Sequence, residues 1–394
     1  MKKIYLVSEL FYPNKTSTSY IMTEIAKHIS ITENVSVICS KILYDKNIAK
    51  DGLSCKINLI RTSTLNLDKN KFIFRIINAV YNSFSMSFAV IKNIKKEDKV
   101  LAVTNPFLLI LIVGLLRSIK NFKYVLLVHD VFPENTIPAG INNKSSFFYS
   151  FLLNIYNKAY RKADQLIVLG NDMKVLLENK GVDKSKIEVI PNWFDSDLNS
   201  NFDVDIDKYL NYKISNNKIV IGFAGNIGRV QNLEQFVRAF NKSSNLNILL
   251  VIIGEGASKN KIVDLITDER VLLLDSKPRS EQNQFLNCFD LGLVTLADGM
   301  FGLGVPSKIY NLLALGKTIL YVGDRDSEID QNVRHLKIGF SFNWKNEAEI
   351  LVFLNNLKKE NLIHYKNHNI QVANEYYSQV KILNRIKKIM INEK

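Results

Sequence analysis

At 394 residues the chain is long enough for two or three domains, each with a core of its own. Its 47% hydrophobic and 23% charged residues, with only 7 Pro and 17 Gly, exclude disordered, collagenous and low-complexity proteins. The net charge of +14 is uneven, because residues 1–190 hold 27 basic and 15 acidic side chains, a balance of +12. That asymmetry points to an anionic surface facing the first half, a nucleic acid or an acidic membrane leaflet, against the plainer alternative of an Asn- and Lys-rich composition.

Lys2 and Lys3 lead directly into IYLV and the charged, aromatic SELFYP, so no export signal is expected. Residues 3–8 predict a strand, the pattern Ile21, Ile25, His28, Ile29 a helix, and VSVICS a second strand. Further strands are expected at 57–61, 100–104, 124–130, 165–170 and 187–192, separated by helical stretches, which predicts a doubly wound parallel sheet. The longest apolar run, Phe107 to Leu116, is about half of the roughly 20 residues that span a bilayer and reads as a buried helix. Two helical stretches carry apolar stripes with basic flanks. In the first, Ile73, Ile77, Val80, Phe84, Phe88 and Ile91 are bracketed by Lys69, Lys71, Arg75, Lys92, Lys95 and Lys96; the second runs from Phe147 to Ala163 beside Lys144, Lys158, Arg161 and Lys162. Such stripes suit interfacial binding, or else they pack on the sheet and the lysines are solvated. The acidic, Asn-rich stretch from Asp195 to Asn217 reads as a linker. A second Rossmann-like half follows, with strands expected in IVIGFAGNIG, LNILLVIIGEG, VLLLDS, DLGLVTL and TILYVG, and the segment from about Glu375 to Lys388 reads as a basic amphipathic helix. Two such halves place a cleft between the carboxyl edges of two sheets. Cys39, Cys55 and Cys288 write neither a disulfide framework nor a metal site and fit a reducing cytoplasm.

The strongest local signal is a strand followed by Gly225-Asn226-Ile227-Gly228-Arg229 and a helical pattern. Glycines admit a phosphate to the backbone amides and Arg229 supplies a forked donor, which predicts a diphosphate cradle. A second is Gly302-Leu303-Gly304-Val305-Pro306-Ser307-Lys308, where a helix start and the Lys308 ammonium predict another anion site. Two anion sites in one domain suit a nucleotide diphosphate, with Asn311 one turn on to meet ribose hydroxyls. DxD patterns occur at Asp195, Asp203, Asp205 and Asp324; the one at Asp324 follows a strand, and Ser327-Glu328 beside it reads equally as a helix cap.

Six pieces, FYPN at 11–14, HDVFPE at 129–134, IPNW at 190–193, FAGNIGRVQNLE at 223–234, VIIGEG at 251–256 and GVPSKIYNLLALGK at 304–317, follow one another in a familiar order and spacing. Across nearly the whole chain this resembles the GT-B nucleotide-sugar glycosyltransferases of family 4, bacterial enzymes of O-antigen, colanic acid or capsule synthesis, in their PSK-containing, L-fucosamine-transferase-like subgroup. The resemblance implies an α/β fold of two Rossmann-like, doubly wound parallel-sheet domains facing a cleft. Residues 1–195 would take the acceptor, 196–217 would link, 218–372 would take the nucleotide sugar, and 373–394 would form a C-terminal helix able to return to the first domain. It implies retaining transfer of a HexNAc or 6-deoxy-HexNAc from a UDP-sugar to an undecaprenyl-diphosphate-linked saccharide, without metal or other cofactor. The protein would work in the cytoplasm, peripherally on the inner face of the plasma membrane, with no nucleic acid as partner.

Residue by residue, the resemblance puts His129 beside the donor sugar and leaves Asp130 or Glu134 to orient or deprotonate the acceptor hydroxyl. Gly225, Asn226, Gly228, Arg229, Ser307 and Lys308 would hold the diphosphate. Gly304, Val305, Pro306, Asn311, Glu255, Lys277, Arg279 and Glu328 would meet the donor's sugar, ribose or base, and Ser17, Thr18 and Ser19 would form the acceptor loop. Departures are visible: the usual pair of glutamates is replaced by Leu303 and Asn311, the lysine common after the phosphate-loop arginine falls at or near Asn232, and NKTSTS stands where many members have two glycines. An epimerase of UDP-HexNAc on the same fold is the nearest rival, distinguished by turnover without an acceptor. A nucleic-acid binder is the other, but no RNP, KH, zinc-finger or helix-turn-helix signature appears.

Overall fold

The computed structural model describes residues 2–14, 16–41, 53, 56–65, 67, 72–210, 212 and 218–391. Lys69, Lys71, Cys55 and the end of the linker stretch, 213–217, lie outside the described residues, as do the side chains of Phe72 and Arg75. The chain divides into two compact units, one of Met1–Thr136, Asn142–Pro191 and Val380–Lys394, the other of Ile137–Ile141 and Asn192–Gln379.

In the first unit the chain runs β1 (Ile4–Val7), α1 (Ser17–Ser30), β2 (Val35–Ser40), β3 (Ile57–Thr62), α2 (Phe72–Asn93), β4 (Lys99–Val103), α3 (Leu109–Lys120), β5 (Lys123–Val128), α4 (Phe147–Lys162), β6 (Gln165–Val168), α5 (Asn171–Asn179) and β7 (Ile187–Val189). The seven strands are parallel in the order β3-β2-β1-β4-β5-β6-β7. The order reverses direction between β1 and β4, where Leu6 pairs with Leu101, and such a reversal opens a crevice at the carboxyl ends of the strands. Central strands are covered on both faces, so β1 and β4 are apolar without alternation. Right-handed crossovers place α2, α3 and α4 on one face of the sheet, where α2 packs on α3 and α3 on α4.

The second unit holds α6 (Ile206–Leu210), β8 (Ile219–Ala224), α7 (Leu233–Asn241), β9 (Ile248–Ile253), α8 (Lys259–Val263), β10 (Val271–Leu274), α9 (Gln282–Asn287), β11 (Leu291–Thr295), α10 (Lys308–Ala314), β12 (Thr318–Val322), α11 (Glu328–His335), β13 (Gly339–Phe342), α12 (Glu347–Asn356) and α13 (Tyr365–Tyr376). Its six parallel strands run β10-β9-β8-β11-β12-β13 around a core that includes Phe223, Phe236, Phe240, Leu250 and Leu293. The last helix, α14 (Gln379–Ile391), packs Ile382, Leu383, Ile386 and Met390 into the first unit. There Arg385 donates to the Val189 carbonyl at 2.7 Å and Lys99 Nζ to the Ile391 carbonyl at 2.9 Å.

Three expectations need correction. The stretch read as a linker is packed into the second unit as far as Leu210, because its polar side chains find partners: Asp195 with Arg279, the Asn199 amide with Asn283 at 2.8 Å, and Tyr209 with Glu281 at 3.2 Å. β13 has no counterpart among the expected strands, since Gly-Phe-Ser-Phe at a half-buried sheet edge is too short for a period. The run Phe107–Leu116 lies largely in α3, whose Leu109, Ile110, Val113 and Leu116 are buried while Leu115 and Ile119 face outward. No helix among the described residues is long and apolar enough to cross a membrane.

Candidate functional site

In the second unit the site grows from the turn after β8. Gly225 has φ +136°, a conformation only glycine adopts without strain, and donates its N–H to the Ile253 carbonyl at 2.9 Å. Ile227 donates to the Glu255 carbonyl at 2.8 Å, so the turn lies against the end of β9. The approach is so close that a Cβ on Gly254 would sit 1.9 Å from the Gly225 carbonyl oxygen, and one on Gly256 2.2 Å from that of Ile227. The Gly228 N–H points at Gln231 Oε1, 3.0 Å away. Two of the amides expected to face a phosphate, those of Gly225 and Gly228, therefore donate within the protein, and these glycines serve the shape of the turn. Gly225 and Asn226 are exposed at its tip, and the exposed Arg229 opens a short helical turn over Arg229–Gln231. Arg229 lines a depression of about 680 Å³ with Asn232, Arg238, Ser258 and Lys261.

Lys308 reaches this turn from the other motif. Its Nζ is buried, has no hydrogen-bond partner, lies 3.2 Å from the centroid of the Phe223 ring, and would be 3.5 Å from a Cβ on Gly225. Burial with no counter-charge pushes its ammonium well below the usual lysine range. The loop before it is held by Asp324, which accepts the N–H groups of Gly299 at 3.2 Å and Phe301 at 2.8 Å. Gly304, Val305, Pro306 and Ser307 are half-buried and lead into α10, which at seven residues is a weak dipole, so the positive charge here rests on Lys308.

The remaining residues expected to meet the donor are distributed more widely. Asn311 is engaged on every polar atom: Nδ2 donates to Asp195 Oδ2 at 3.0 Å and to Gln282 Oε1 at 2.8 Å, and Oδ1 accepts the Asp195 N–H at 3.0 Å. Arg279 also pairs with Asp195, which is buried. Asn311 thus ties α10, and Arg279 the turn just before α9, to the segment at Asp195. Glu255 is exposed and paired with Lys259 at 2.5 Å, Lys277 is exposed with its Nζ 5.8 Å from the Tyr209 ring, and the buried Glu328 accepts from Asn332 at 3.2 Å. In the DxD pattern, Asp324 supports the loop as above and Asp326 pairs with Arg334 at 2.7 Å.

In the first unit, His129 and Asp130 follow β5 at its carboxyl end, and both backbone N–H groups point at Thr104 Oγ1, 3.3 Å away at the end of β4. The His129 Nε2 is buried without a partner, and burial pushes the imidazole down to about 4, so it is neutral at neutral pH. Asp130 presents surface to solvent, yet the surrounding protein pushes its carboxyl up to about 6. Glu134 is drawn away from this pair into an ion pair with the buried Lys180, which also lies 5.4 Å from the Tyr160 ring. Ser17, Thr18 and Ser19 form the first turn of α1, capped by the Thr16 hydroxyl on the Ser19 N–H, and the buried Ser19 Oγ has no partner. Glu9, after β1, accepts from Asn82 at 2.7 Å and Asn105 at 3.3 Å. Thr104, Phe223, Asp195 and Asp324 were not singled out for these supporting roles by sequence; of these, Thr104 carried a signal, as a hydroxyl ending an apolar strand. A depression of about 670 Å³ in this unit opens at the amino ends of β4, β5 and β6, the edge opposite His129.

The profile described as Glycosyltransferase Family 4 matches residues 66–198. The chain is 31% identical over 344 residues to the probable glycosyltransferase WbjE of Pseudomonas aeruginosa, covering 86% of each chain. It is 21% identical over 243 residues, 60% of each chain, to the putative colanic acid biosynthesis glycosyl transferase WcaI of Escherichia coli. Among solved structures, Anabaena HepE in complex with UDP superposes with a TM-score of 0.71 over 99% of both chains at 15% identity.

Proposed function

Because the chain belongs to glycosyltransferase family 4 and is a transferase of the GT-B fold, we propose that it moves a HexNAc or 6-deoxy-HexNAc such as L-FucNAc from a UDP-sugar to a lipid-diphosphate-linked saccharide in bacterial surface-polysaccharide synthesis. The observation that carries the donor assignment is Lys308: a buried amine with no partner, set against the glycine turn that precedes Arg229. An anionic diphosphate would supply the missing partner and lift the desolvation penalty of the amine. A UDP donor accords with HepE, which was solved with UDP and with UDP-glucose. A polysaccharide acceptor accords with WcaI and its colanic acid assignment.

Transfer would proceed with retention. The bond from the anomeric carbon to the diphosphate oxygen breaks, the bond to the acceptor oxygen forms on the same face, and the acceptor proton passes to the departing diphosphate. Arg229 and Lys308 would stabilise that leaving group without a metal ion. Neutral His129 would hydrogen-bond the donor sugar through Nε2, and Asp130 would orient the acceptor hydroxyl. An acceptor on an undecaprenyl diphosphate would bring the reaction to the inner, anionic face of the plasma membrane, where the basic first 190 residues favour docking.

The test is incubation with a panel of nucleotide sugars and a short lipid-diphosphate-GlcNAc acceptor, read by mass spectrometry with and without EDTA. An acceptor gaining one sugar mass in EDTA is the expected result. Turnover of the nucleotide sugar without an acceptor would favour the epimerase, and loss in EDTA with rescue by Mn²⁺ would overturn the metal-free mechanism.

A further inference from the structure

We propose that the outer face of α2, α3 and α4 is a membrane-inserting surface, seated in an anionic lipid leaflet by aromatic side chains and held there by a cationic surround. The proposal deepens the transferase reading above and rests on it only for the biological source of the lipid. Its starting point is the orientation of α2. The side turned to the protein carries Asn78, Asn82, Ser83 and Ser87 beside Met86, Ala89 and Val90, and the Oδ1 atoms of both asparagines are buried without a partner. The side turned outward carries Ile73, Ile77, Phe84, Phe88 and Ile91, with Phe84 62% and Phe88 68% exposed. In water the hydrophobic effect turns a helix the other way, so this orientation marks an outer face built for an apolar medium.

The neighbouring helices extend the same surface. α3 presents Leu115 and Ile119, and the first turns of α4 present Phe147, Phe148 and Phe151, with Phe147 88% exposed. An apolar area spread over three packed helices is larger than the isolated exposed hydrophobics of an ordinary surface.

Charge decides which partner fits. The three helices hold no Asp or Glu and seven Lys or Arg, in a chain with 38 acidic residues among 394. Lys92, Lys158, Arg161 and Lys162 are exposed, as are Lys95, Lys96 and Lys144 just outside the helices. A second copy on this face would set the same cations against themselves across a two-fold axis. Aromatic and aliphatic side chains amid lysines, without acids, instead match the boundary between anionic headgroups and acyl chains. The apolar component distinguishes this surface from purely electrostatic docking, because salt screens the lysines and leaves the aromatic anchors in place.

The experiment is sedimentation of the full chain with phosphatidylcholine–phosphatidylglycerol vesicles at low and high salt, with pure phosphatidylcholine vesicles beside them. Wild type is expected to bind the anionic vesicles at low salt and to leave a bound fraction in high salt. The triple variant Phe84→Ser, Phe88→Ser and Phe151→Ser should lose that salt-resistant fraction, with binding weakened at least about tenfold. In parallel, the emission of Phe88→Trp should shift to the blue and be quenched by lipids brominated in the acyl chain. Complete release of wild type by salt, retention of the triple variant, no quenching, or dimerisation of lipid-free protein that the triple variant abolishes would each overturn the proposal. The triple variant should turn over a short water-soluble acceptor like wild type. Failure of the sugar-transfer assay with intact vesicle binding would remove the proposed reaction and leave the surface standing.

Discussion

Lys308 carries a conflict between stability and function. Its folded pKa is depressed, so the unfolded chain binds the proton more tightly, and stability is fully present only above the usual lysine range and is reduced as pH falls below it. Lys308→Met should therefore raise the thermal midpoint of the ligand-free protein while costing about 2–4 kcal/mol of transition-state stabilisation. Calorimetry and steady-state kinetics on one preparation check both halves; a lower midpoint would contradict the unpartnered amine. UDP should in turn raise the Lys308 pKa back toward the usual lysine range, so that titration calorimetry in buffers of different ionisation enthalpy reads proton uptake at pH values between the free and the bound pKa. His129 adds a second pH dependence. With its imidazole held down to about 4 against an unfolded value near 6.5, it contributes stability above 6.5 that is lost as pH falls to 4, whereas the raised Asp130 acts in the opposite sense from 6 toward 3.8. His129→Gln should consequently lose less of its thermal midpoint than wild type between pH 6.5 and 4. The turn that ends at Arg229 and the helix start at Lys308 were legible in the sequence because a glycine turn and a Pro-Ser-Lys helix start are local patterns. The use of Asn311 was not, since its partner Asp195 lies 116 positions away.

Among the elements, the strands were the most legible. A central parallel strand covered on both faces is apolar along its length, and runs such as β1, β8 and β9 stand out for that reason, whereas the edge strand β13 does not. The helices were less so, because periodicity reports that α2 has an apolar stripe but not which way the stripe faces. The segment after Asp195 was misread for a related reason: polar residues look like solvent-exposed linker until their partners are known. Asp195 joins three elements, receiving Arg279, Gln282 at 3.0 Å and Asn311 at 3.0 Å. Asp195→Ala would leave those donors without their shared acceptor and should cost about 2–4 kcal/mol. Limited proteolysis should show faster cleavage within 196–217, and an unchanged cleavage rate would mean that the segment is held by other contacts.

For the molecule as a whole, composition located the basic half but not the three-helix face within it, since exposure is a property of packing and not of residue counts. The two units are also not two consecutive stretches of chain. Val380 onward belongs with residues from the first half, and Ile382, Leu383, Ile386 and Met390 fill its core. A fragment of residues 1–191 should therefore be poorly soluble and less stable than the same unit in the full chain, and a synthetic peptide of residues 379–391 added in trans should raise its thermal midpoint. During synthesis, the unit begun first stays open at the site of α14 until residues 380–391 have left the ribosome, so the second unit can close before the first. The order of translation and the order of completion are thereby reversed, and a nascent chain stalled in the second unit would leave the first unit exposed to chaperones and proteases.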